Sequence, residues 1–152
     1  MASLAADALL EAIDGPAVVG TLEGKSMPIL TRLPSGKLGF RMMGKFAKAP
    51  EARAIVRVSF ENGQSVRVGR DQIFFKKGMV EVPAAELRSG DPIEPSWDYR
   101  DGYRPPDLPE QRPADGTLLV ASVTADGEAE VFSAPIRETG RFFLTCGALL
   151  KA

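Results

Sequence analysis

The sequence predicts an all-β domain led by one short helix. Three observations carry that reading. Glycine-bearing turn pairs stand at Asn62-Gly63, Lys77-Gly78 and Asp126-Gly127, each between apolar runs. Val56, Val58 and Phe60 alternate with Arg57 and Ser59, the period of a half-buried strand. Against these, only Ser3–Ile13 shows helical spacing.

The elements follow in chain order. Ser3 is a suitable N-cap, Leu4, Ala8, Leu9 and Ile13 line one side, and Asp14-Gly15-Pro16 stops the helix, so residues 1–16 form a helical segment and 17–152 a β domain. Val56–Phe60 turns through Asn62-Gly63, where both central positions want positive φ, into Val66 and Val68. Phe74-Phe75 and Met79-Val80 flank the second turn. Pro83–Leu87 suits one helical turn, closed by Ser89-Gly90. A third hairpin is expected to join Leu118–Thr124 to Glu130–Ile136, and Arg141–Leu150 reads as one or two apolar strands.

With 152 residues the chain fits one domain able to bury about two-thirds of its unfolded surface. A net charge of −1 argues against a broad nucleic-acid footprint, although Lys25, Lys37, Lys45, Lys48, Arg32, Arg41 and Arg53 bias the first third towards basic. These are expected to be solvated strand faces. No apolar run approaches the roughly 20 residues of a membrane helix, and the amino terminus lacks a basic n-region, so a cytoplasmic protein without membrane contact is expected. One cysteine, Cys146, excludes an internal disulfide and a multi-cysteine zinc site; set among Phe142, Phe143 and Leu149, it reads as a buried small hydrophobe. Histidine is absent, which removes the side chain that titrates near neutrality. No metal and no cofactor are expected, and Asp98, Asp101 and Asp107 lack the spacing of a calcium loop.

Residues 92–116 change character, with six prolines and almost no aliphatics, and read as a surface loop. Trp97, Tyr99 and Tyr103 gather there. The preferred reading is that they pin the loop to the domain; the functional one makes them a contact patch for a partner protein.

Three ordered stretches resemble the Hint domain, the fold of inteins and hedgehog autoprocessing domains. The first runs from Thr21-Leu22-Glu23-Gly24 through Ile29-Leu30-Thr31 to Gly36, similar to the family's nucleophile, glycine, "V-x-T" and second glycine. The second is Asn62-Gly63, Val68 to Gln72, Ala84 to Leu87 and Gly90-Asp91, similar to a hairpin carrying "V-T-x-x-H" and ending in "G-D". The third is Val131–Ile136 with Phe142-Phe143 and Gly147–Leu150, similar to the family's closing strands. The resemblance implies a flattened, pseudo-two-fold β-horseshoe from about residue 18 to 152, with the Pro-rich loop where larger inteins carry an endonuclease.

Family chemistry is an acyl shift at the amino-terminal junction, aided by the second motif's threonine and histidine, then cleavage at a terminal asparagine. Carried over by position, the nucleophile is Thr21, the threonine Gly69, the histidine Gln72, the third-motif aspartate Ser133, and the closing His-Asn pair Lys151-Ala152. The resemblance therefore implies a catalytically inactive domain serving as a structural or interaction module. Two alternatives stand beside it: residual acyl chemistry through Thr21 or Cys146 with cleavage at Gly20-Thr21, and an unrelated small β-barrel adaptor. Gln72 is expected to hydrogen-bond loop backbone with its paired donor and acceptor.

Overall fold

Ser3–Ile13 is not a helix. In the computed structural model, which describes residues 2–94, 97, 118–133, 135, 136 and 138–152, this stretch forms two strands, β1 (Leu4–Ala5) and β2 (Leu9–Ala12). The pair Asp14-Gly15, read as a helix stop, instead leads β2 into β3 (Gly15–Val18), with Ala12 opposite Gly15 and Leu9 opposite Val18. Ala, Leu and Glu are good helix formers, but intrinsic propensity is a small preference and eleven residues of helix would be marginal alone. Sheet partners on both sides outweigh that preference. Leu4, fully buried, pairs with both Phe132 and Val68, and the alternating Ala8, Leu10 and Ala12 are also buried.

After a 3-10 turn at Val19–Thr21 come β4 (Pro28–Arg32), β5 (Leu38–Met42), β6 (Ala47–Lys48), β7 (Arg53–Phe60) and β8 (Ser65–Gly69). Then follow β9 (Ile73–Lys76), β10 (Val80–Pro83), a 3-10 turn at Ala84–Glu86, β11 (Pro92–Ile93), β12 (Leu118–Ala129), β13 (Val131–Ser133), β14 (Arg141–Phe143) and β15 (Leu149–Lys151). The expected hairpins β7–β8 and β9–β10 form, with Val58 opposite Val66 and Phe75 opposite Glu81. Asn62 closes the first by accepting the Gln64 N–H at 3.0 Å.

The third expected hairpin does not form. β12 continues through Asp126-Gly127, which become a bulge: Ala125 pairs with Val56 and Glu128 with Ala54, while Gly127 takes φ +71°. Arg67 Nε, 2.7 Å from the Asp126 carboxylate, helps hold the bulge. A turn-forming dipeptide thus bends a strand whose long neighbour, β7, offers pairing on both sides of it.

All observed pairings are antiparallel, apart from one isolated parallel bridge between Glu23 and Phe46. One sheet runs β14-β15-β9-β11-β12-β7-β8-β1-β13-β6 with β10 also on β9; the other runs β3-β2-β4-β5. The main core takes Leu4, Leu10, Ile29, Met43, Phe46, Phe74 and Phe142 from both sheets, and Phe60 meets Phe74 at 6.5 Å between ring centroids. A smaller cluster joins Leu30, Phe75, Trp97, Phe143 and Leu149. No helix of the described residues is long and apolar enough to cross a membrane.

Candidate functional site

Gln72 sits in the short connection between β8 and β9, where the backbone is pinned from both sides. Its N–H donates to the Gly69 carbonyl, its own carbonyl accepts from Ala84, and Arg70 exchanges with Ala54 and Ala85. The side chain, 2% exposed, is therefore aimed rather than free. Gln72 Oε1 accepts the Ser3 N–H at 2.6 Å, while Nε2 donates to the carbonyls of Lys151 at 3.0 Å and Ile73 at 3.1 Å. This assignment is self-consistent, since a flipped amide would face an N–H with a donor and two carbonyls with an acceptor. One neutral amide thus joins residue 3 to residue 151.

Gly69 completes the arrangement. Its N–H donates to the Ser3 carbonyl at 2.8 Å, and a Cβ here would lie 2.7 Å from the Ser3 Cβ. Only glycine lets the strand carrying Ser3 come this close.

A cleft of about 140 Å³ opens between Ser3, Arg53, Gly69, Arg70 and Asp71, and beside it one of about 370 Å³ reaches Lys48, Pro50 and Ser133. Both share Ser3, Arg53 and Asp71. Ser133 spends its hydroxyl on the Ala47 carbonyl at 3.3 Å.

Three of the residues carried over from sequence therefore surround one place: Gly69, Gln72 and Ser133 all lie by Ser3. Thr21 and Cys146 do not. Thr21 is exposed in its 3-10 turn and donates its hydroxyl to the Val18 carbonyl at 2.7 Å. Cys146 lines a separate small cavity with Asp7 and Gln64, and burial pushes its thiol up to about 12. The helical spacing of Ser3–Ile13 makes Ser3 a helix cap, whereas it stands just before β1 with its N–H on Gln72. The available signal was Asp14-Gly15 between alternating residues, which as a hairpin turn moves the start of the β domain back to Ser3.

Among the loop aromatics, Trp97 is buried; its indole N–H donates to the Leu144 carbonyl at 3.0 Å. Its ring serves the fold, as the preferred reading expects. Tyr99, Tyr103, Asp98, Asp101, Asp107 and the rest of the Pro-rich loop from 98 to 116 lie outside the described residues. Some of the basic residues of the first third have internal tasks: Arg41 and Lys48 pair with Glu138 and Glu130, and Arg32 lies 5.7 Å over the Phe143 ring.

No family model matches the chain, and no curated protein matches it. Solved structures do. An Ssp DnaB mini-intein variant superposes with a TM-score of 0.79 at 13% identity, covering 100% of this chain and 99% of its own. The bacterial intein-like domain from Clostridium thermocellum gives 0.75 at 12% identity, again over 100% and 99%. A DnaB intein from Synechocystis sp. PCC 6803 gives 0.76 at 12% identity over the same shares. Such identities speak to architecture, and with end-to-end coverage they set aside an unrelated barrel: the chain has the intein-like Hint fold.

Proposed function

We propose that this chain is a Hint-fold domain that does not process itself and serves as a structural or protein-interaction module. The observation that carries the proposal is the commitment of Gln72. On this reading Ser3, not Thr21, holds the nucleophile position. An acyl shift would send Ser3 Oγ onto the Ala2 carbonyl carbon, and the Ser3 nitrogen would leave as an amine that needs a proton. Gln72 Oε1 has none to give; it already accepts that nitrogen's N–H. The chain contains no histidine, and the carboxylate lining the cleft, Asp71, is exposed and shares it with Arg53 and Arg70. At the other end Gln72 Nε2 holds the Lys151 carbonyl, and the next residue, Ala152, has no side-chain amide to cyclise.

The test joins a passenger protein to Ala2 and follows intact mass with hydroxylamine or a thiol added, proteases excluded. The mass should stay constant. A fragment beginning at Ser3 would refute the proposal, and one beginning at Thr21 would restore the Gly20-Thr21 alternative.

A further inference from the structure

β5 is the outer strand of the four-stranded sheet, and its exposed side chains are the wrong kind for an edge. Leu38, Phe40 and Met42 are 46%, 37% and 63% exposed. Opposite Arg32, Leu30 and Pro28 respectively, they share one face of the sheet.

The backbone of the same three residues is the part left open. Leu33 N–H donates to the Lys37 carbonyl at 2.8 Å and Met43 N–H to the Met27 carbonyl at 2.9 Å. In an antiparallel ladder inward-facing residues alternate, so 37, 39, 41 and 43 turn towards β4 and 38, 40 and 42 turn outward. Natural edges are usually blunted by lysine, proline or a bulge, and the outward positions of β5 hold none of these. What guards it is Arg41, whose Nη1 donates to the Phe40 carbonyl at 2.8 Å while Nε pairs with Glu138.

We propose that β5 pairs antiparallel with β5 of a second copy, about a two-fold axis at Phe40. The run is self-complementary under that operation, as an isologous interface requires. Phe40 meets its own counterpart, Leu38 meets Met42, and each of these pairs exchanges two backbone hydrogen bonds. No like charges are brought opposite each other: Arg41 faces Gly39 and Lys37 faces Met43 of the other copy. The contact joins two four-stranded sheets into one and sets the two apolar trios side by side on one face, where cross-strand pairs bury part of each. With five residues a side it falls below the roughly 1,200 Å² of a standard interface, and Arg41 must swing off the Phe40 carbonyl, so the dimer is weak and exchanging.

Two measurements test this. Phe40→Cys places two thiols across the axis, at the about 5.5 Å Cα separation that suits a disulfide. Under mild oxidation it should crosslink at least about tenfold faster than Val80→Cys, a control on β10 that is more exposed than Phe40; native Cys146 is buried and stays silent. Equal rates would mean random collision and overturn the proposal. In sedimentation equilibrium, wild type should gain average mass as concentration rises towards about 1 mM, and Phe40→Lys should remain monomeric with an unchanged melting temperature. A monomeric wild type, or association that survives Phe40→Lys, would also overturn it.

Discussion

Replacing Gln72 by leucine keeps roughly the same volume and removes every polar contact of the side chain, which makes it the most direct probe of the clamp. Three hydrogen bonds vanish: from Ser3 N–H, and to the carbonyls of Lys151 and Ile73. At about 1 kcal/mol each the loss is about 3 kcal/mol. Ser3 is half-buried and Lys151 exposed, so water recovers part of that for their groups, and the apolar leucine gains a little by burial. A net destabilisation of about 2 kcal/mol remains, or roughly 4–8 °C in Tm for a domain of this size. The single tryptophan, Trp97, is buried and reports urea unfolding directly. The midpoint should fall with the slope unchanged, and amide exchange at Ser3 should quicken in the native state. A loss under about 0.5 kcal/mol, or an unaltered Ser3 amide, would refute the claim that this side chain holds the two segments. Gln72→His should cost about 1 kcal/mol, because one ring nitrogen can still accept from Ser3 while the other cannot serve both carbonyls.

Gly69→Thr forces a Cβ to 2.7 Å from that of Ser3 and should lower stability by about 1–3 kcal/mol in thermal melts. Gly147→Ala meets two obstacles, a φ of +106° and the Trp97 carbonyl 2.6 Å away, so it should unseat Trp97 and shift its fluorescence to the red. Cys146 should resist alkylation in the native protein and react on unfolding. Its pKa rises from 9.0 to about 12 on folding through burial, so its contribution is intact below pH 9 and is lost as pH climbs towards 12. Stability should therefore fall by up to about 1.4 kcal/mol per pH unit across that window, and Cys146→Ala should flatten the decline.

The hairpins of β7–β8 and β9–β10 were legible because each turn pair joins strands that pair with each other, a local relation. The same signal misled at Asp126-Gly127 because the partner deciding its fate, β7, lies more than 60 residues away. The amino-terminal segment failed for a related reason: Leu4 is a strand residue because Phe132 and Val68 stand on either side of it, and nothing within Ser3–Ile13 reveals them. That error displaced one site residue. Gln72 and Gly69 were found because they lie inside the well-marked hairpin frame, whereas Ser3 lay in the segment assigned to a helix.

Two groups hydrogen-bonded to a single carboxamide lie within about 8 Å of each other. Ser3 and Lys151 meet this condition. A host polypeptide entering before Ser3 and leaving after Ala152 would thus see the whole domain as a closed surface loop. Its own strands would part by no more than a short turn requires, and the entropy of closing that loop would already be met by the folded guest. The same closeness makes the chain suited to circular permutation. A few glycines bridging Ala152 to Ala2, with new ends opened at the exposed turn Lys77-Gly78, would leave the β8–β9 connection and its carboxamide untouched.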